Sequence, residues 1–111
     1  MAAELYHGDP LMIDYTPAGA IEAGDMVDFG SYVIVAHRDI AASELGAMAY
    51  PSGTAVYKIE LGTGVSFAAG AAVTVDVATG KAEATGSAFG LCAKAADQSA
   101  GDTYVYAVLD K

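Results

Sequence analysis

Val73-Thr74-Val75-Asp76-Val77-Ala78-Thr79-Gly80-Lys81-Ala82-Glu83-Ala84 is the stretch whose reading decides the fold. Three valines alternate with Thr74 and Asp76, a period of two that suits a half-buried strand. Ala78-Thr79-Gly80-Lys81 then supplies turn chemistry, and Ala82-Glu83-Ala84 begins a return strand, so the whole reads as a hairpin. The pattern recurs outward from there. Ala55, Tyr57, Ile59 and Leu61 alternate with Val56, Lys58 and Glu60, and Leu11, Ile13 and Tyr15 alternate with Met12, Asp14 and Thr16. Ser31 to Ala36 is a β-branched and aromatic run. Thr103 to Leu109 sets Tyr104, Tyr106 and Val108 against Val105, Ala107 and Leu109. Both faces of that last strand are apolar, which places it centrally or at a subunit contact.

Turns separate the runs. Tyr50-Pro51-Ser52-Gly53 and Thr16-Pro17-Ala18-Gly19 each offer a proline to preset φ and a glycine to accept positive φ. An Ala-Gly pair precedes a strand three times, in 22–27, 68–73 and 99–105, at unequal spacings. This is a repeated turn device rather than a solenoid period. Helix signals are thin: Asp39 to Leu45 offers one turn with Asp39 as cap, and the Ala-rich stretch Cys92 to Ala100 offers another. The expectation is an all-β (mainly β) protein: a small Gly-rich β-barrel or sandwich of short strands with at most one or two short helical turns. Residues 1-10 read as an N-terminal arm, without clear strand period, and 11-111 as a single barrel-like domain.

Composition excludes several functions. With 111 residues the chain makes one domain. Five Lys and Arg face fourteen Asp and Glu, for a net charge of −9. A nucleic-acid binder needs a basic stripe to displace counterions, and an anionic membrane surface attracts basic segments, so neither partner is expected. A hydrophobic fraction of 54% separates the chain from acidic disordered tails. Only 17% of residues are charged, against about 25% in ordinary domains. Residues 1-11 hold no Lys or Arg and so do not read as a signal peptide, and no apolar run is long enough to span a membrane.

No catalytic constellation emerges. His7 with Asp9, or His37 with Asp39, gives two metal ligands where three or four are needed. Both histidines read as loop residues with ordinary hydrogen bonds. The one cysteine, Cys92, cannot form an intrachain disulfide, and its apolar neighbours suit a small buried residue rather than a nucleophile. Gly80-Lys81 lacks the rest of a phosphate loop, and Gly62-Thr63-Gly64 lacks the rest of a dinucleotide fingerprint. Neither a cofactor nor a metal is expected.

Three strings in order carry a family resemblance: 15–27 (YTPAGAIEAGDMV), 35–46 (VAHRDIAASELG) and 89–93 (FGLCA), the last followed by Ala100-Gly101-Asp102 and a closing strand. Over roughly residues 9–109 the chain resembles the small capsid cement, or head decoration, proteins of tailed phages and prophages. It departs from the family at Ser43, where a glycine is usual. The resemblance implies a non-enzymatic structural protein on the outer face of the virion capsid, made in the bacterial host cytoplasm. It implies the major capsid protein as partner and a homo-oligomer, most often a trimer. The shortage of charge then reads as surface reserved for interfaces. Leu5, Tyr6, His7, Leu11, Ile13, Tyr104 and Tyr106 are the candidate capsid or subunit contacts; taken singly, Tyr57, Tyr104 and Tyr106 each read first as packing of the subunit's own core. Leu5 and Tyr6 would belong to an arm that orders on a partner, or to a frayed terminus. Two other readings remain at this point: a β-barrel adaptor of a phage tail or baseplate, and a small acidic ligand-binding module.

Overall fold

The computed structural model describes residues 3–110, an elongated body of 42 × 24 × 22 Å. Twelve strands follow in chain order: β1 (Ala3–Gly8), β2 (Leu11–Tyr15), β3 (Met26–Phe29), β4 (Tyr32–Ala36), β5 (Gly46–Tyr50), β6 (Ala55–Glu60), β7 (Ser66–Phe67), β8 (Ala72–Asp76), β9 (Lys81–Glu83), β10 (Ser87–Lys94), β11 (Ala96–Asp97) and β12 (Tyr104–Leu109). They form an antiparallel six-stranded sheet in the order β1-β6-β12-β10-β8-β9, a four-stranded sheet in the order β2-β5-β4-β3, and the small pair β11-β7.

The six-stranded sheet rolls up. Leu61, just past β6, bridges Ala82 of β9, and the Gly62 amide donates to the Ala82 carbonyl at 2.8 Å. The strands from β6 to β9 thereby close at one end into a small barrel, a solution that protects sheet edges. Its interior is what alternation requires. Tyr57, Ile59, Val73, Val75, Val105, Ala107 and Leu109 are all buried, and Phe89 and Cys92 join them from β10. Met26, Val33, Val35 and Ala49 of the four-stranded sheet pack against the same cluster. The other face of that sheet has a second, smaller core of Ile34, Ala36 and Met48 under Ile21 and Ile40. Those last two bridge each other, with both amide-to-carbonyl bonds at 2.8 Å. β4 is buried on both faces from Val33 to Ala36, which explains its unbroken apolar run around Val33-Ile34-Val35.

β12 lies between β6 and β10, in the middle of its sheet, as its two apolar faces predict. The β8–β9 hairpin forms with Asp76 opposite Lys81. The Ala-Gly turn device is also real. Gly24, Gly70 and Gly101 all take positive φ, and the aspartate after two of them bonds back along the chain: Asp25 accepts from the Glu22 amide and Asp102 from the Asp97 amide.

Three local expectations need correction. Asp39–Leu45 is not helical: the Asp39 carboxylate accepts from the Ala23 amide, 16 residues away, instead of capping its own turn. Ser43 then takes φ 63°, which no right-handed helix accommodates. The Ala-rich stretch from Cys92 continues β10 and enters β11, because neighbouring strands claim its backbone; only Gln98–Ala100 makes a 3₁₀ turn, capped by Asp97. The segment after residue 2 is a strand, although its sequence shows no period. β1 pairs with β6 from Ala3 to Gly8, and a register shift between Leu5 and His7 scrambles the alternation. Residues 1, 2 and 111 lie outside the described residues.

Candidate functional site

With Tyr57, Ile59, Val105, Ala107 and Leu109 turned inward, the intervening residues of the six-stranded sheet face out. Strand register arranges them in rows across the strands. In one row His7 stands opposite Val56, Val56 opposite Val108, Val108 opposite Leu91, and Leu91 opposite Ala72. In the next, Glu4 stands opposite Lys58, Lys58 opposite Tyr106, and Tyr106 opposite Lys94. Tyr104 faces Glu60 in a third. An apolar row over four strands, ended by His7 on β1, therefore runs beside one of aromatic and charged residues.

Aromatic contacts stiffen this face. The Tyr6 ring lies 4.6 Å from that of Tyr106 and 4.2 Å from the His7 imidazole, centroid to centroid. Lys58 places its ammonium 4.2 Å from the Tyr104 centroid, a cation–π arrangement. Several large apolar side chains here remain open to solvent: Leu91 is 47% exposed, Tyr6 51% and Tyr104 41%. Large exposed rings held in place lose little entropy on binding, which is why such residues anchor protein contacts.

The sequence candidates separate over two sheets. Tyr6, His7, Tyr104 and Tyr106 share the outer face, and Tyr6 and Tyr106 touch. Leu5 is part-exposed beside them, lining a shallow cleft with Lys58, Glu60 and Tyr104. Leu11 and Ile13 lie elsewhere, on β2 of the four-stranded sheet; Leu11 is exposed, and Ile13 packs on the second core opposite Met48. Tyr57 is fully buried. Val56, Lys58, Leu91 and Val108 complete the outer face and were not singled out from sequence. For Val56, Lys58 and Val108 the signal is present, as the alternate positions of strands that the sequence shows.

The reactive side chains are occupied structurally. The Cys92 thiol is buried, donates to the Lys94 carbonyl at 3.0 Å, and burial pushes its pKa up, away from thiolate. His37 Nε2 lies 2.5 Å from the Tyr57 hydroxyl, and burial lowers the imidazole's pKa. Burial pushes the Tyr57 phenol strongly up, so it stays neutral beside the ring. Among the described residues no three His, Cys, Asp or Glu side chains come together as a metal site. No helix among them is long and apolar enough to cross a membrane.

A family model described as phage cement protein matches residues 6–108, nearly the whole chain. The chain belongs to the phage cement protein family. No curated protein and no solved structure is significantly similar to it. The cement family is structural rather than enzymatic, and membership implies a place at the phage capsid in association with capsid proteins. The match begins at Tyr6, so it takes in Tyr6 and His7 of β1. Ser43, where the resemblance expects a glycine, adopts the left-handed conformation that a glycine would take freely.

Proposed function

We propose that this cement protein binds the outside of a tailed-phage capsid and clamps neighbouring major capsid protein subunits, acting as a trimer. The observation that carries the reading is the outer face of the six-stranded sheet, where Tyr6, Leu91 and Tyr104 stand exposed beside Tyr106, Val56 and Val108. A stable contact takes about 800 Å² from each partner, roughly one seventh of the 5690 Å² of accessible surface. Two sister subunits and a capsid contact would together engage a large share of it. That accords with a chain in which only 17% of residues are charged. The segment 1-10 acts here as part of the clamp, because β1 carries Tyr6 and His7 onto the face.

The test is decoration of particles stripped of this protein. Leu91→Glu and Tyr6→Glu each place a charge on the face without touching the core. Each should weaken binding at least about tenfold, equivalent to about 1.4 kcal/mol, while the unfolding temperature of the free chain stays within about 2 °C. Sedimentation of the free or released protein should give three times the subunit mass. Full occupancy by the doubly substituted chain would remove this face from the mechanism.

A further inference from the structure

Of the four edges of the two large sheets, three are blunted and that of β2 is not. β1 carries the register shift at Tyr6, β9 has three residues with Lys81 and Glu83 at its ends, and β3 has four with Asp28 among them. β2 runs Leu11-Met12-Ile13-Asp14-Tyr15 and pairs in unbroken register with β5 on one side; among the described residues no strand pairs with its other side. It has one charge, no proline and no bulge, the devices that normally protect an edge. Leu11 is 54% exposed and Met12 40%.

A groove lies beside this edge on the Met12 and Ala47 face, walled by the segment that ends in Leu45. The wall is fixed rather than loose: Ile40 bridges Ile21, and the Ser43 amide donates to the Pro17 carbonyl at 2.8 Å. Leu45 is thereby held 71% exposed. Asp9, Asp14, Asp39 and Glu44 line the groove against Arg38 and the half-buried His37.

We propose that β2 is a strand-accepting edge, and that its occupant is an extended segment of a partner protein with Lys or Arg at alternate positions. Backbone pairing to β2 supplies the affinity, and the alternate side chains reach the acidic groove. The charge selects this occupant over a second copy of the chain. A copy would bring its own Asp14 and a further −9 to a surface already acidic. The inference needs only the edge and the groove, and stands or falls apart from the capsid reading.

The test uses the full chain, isotope-labelled for NMR, and two synthetic probes, acetyl-VKVKVKV-amide and acetyl-VEVEVEV-amide. The lysine peptide should shift amides in 9–16 and 38–47, and bind at least tenfold more tightly than the glutamate peptide. Met12→Lys and Asp14→Lys, each on an exposed side chain, should each weaken the lysine peptide at least fivefold with the remaining spectrum unchanged. Equal binding of the two peptides, or shifts confined to other residues, overturns the proposal. So do concentration-dependent shifts of 9–16 without peptide, which would assign the edge to self-pairing.

Discussion

Replacing Gly90 by alanine should cost far more than a single methyl group usually does. Gly90 sits in β10 at a register shift, opposite Val73 on one side and Leu109 on the other. A Cβ built there would lie 1.8 Å from the Val108 carbonyl oxygen and 2.8 Å from the Asp110 amide, whereas real Cβ contacts essentially never fall below 3.0 Å. Both obstacles are backbone, so no rotamer relieves them. β10 and β12 would have to separate by more than 1 Å from a normal spacing of about 4.8 Å. That breaks the Asp110-to-Phe89 bond of 3.1 Å and strains the neighbouring ladder. Two or three lost bonds at about 1 kcal/mol each, with about 1–2 kcal/mol of disrupted packing, amount to about 3–5 kcal/mol. For a domain of this size the thermal midpoint should fall by about 12–20 °C. Gly64→Ala is the control. Gly64 also has positive φ (73°), but nothing lies within 4 Å of its added Cβ, so only about 1 kcal/mol of backbone strain applies. Calorimetry of both variants decides the matter: midpoints within about 3 °C of each other would refute the steric argument.

Other expectations follow from single residues. Ser43→Gly relieves a left-handed serine worth about 1–2 kcal/mol and adds about 0.5–1 kcal/mol of chain entropy cost, so the midpoint should rise by up to about 6 °C, while Ser43→Val should lower it; a clear fall for glycine would contradict φ 63° at this position. His37 has its pKa lowered by burial from the ordinary 6.5, so the unfolded chain binds the extra proton first. Its contribution to stability is complete above about pH 6.5 and declines as the pH falls. Thermal melts between pH 8 and 5 should therefore drop more steeply for the parent than for His37→Gln, and parallel curves would dismiss the effect. The Cys92 thiol, buried and held protonated, should react with iodoacetamide at pH 8 at least about tenfold more slowly in the native chain than in urea.

How much of this was legible in the sequence depends on where the period of two survives. β6, β8 and β12 keep it, and their inward and outward residues are those that alternation assigns. β10 loses it. Its register shifts beside Gly90 and again after Cys92. Phe89 is buried while Leu91, two residues on, is exposed. Strict alternation would have put both on one face, which hid Leu91 as a surface residue. β5 is Gly-Ala-Met-Ala-Tyr, too poor in β-branched residues to announce a strand, and is held by its neighbours β2 and β4. The candidate site suffered from topology instead. Tyr6 and Ile13 are near in sequence, but the turn after Gly8 sends the chain from an edge of one sheet to an edge of the other. Nothing local distinguishes that step from a hairpin. The pairing of Tyr6 with Tyr106 likewise depends on β6 standing between β1 and β12.

The central place of β12 has a kinetic consequence. It is the last strand in chain order, yet it fills the gap between β6 and β10. Both neighbours must wait for it, and until it arrives each presents a raw edge. Closing the gap needs contacts between residues about fifty apart, such as Tyr104 with Glu60, so the final step should be slow beside the making of the β8–β9 hairpin. A nascent chain halted before residue 104 would carry two sticky strands and no lid for Tyr57 and Phe89. Folding of this sheet therefore waits until residues 104–109 have been made, and a ribosome that stalls just before them leaves a product more prone to aggregate than one that stalls early.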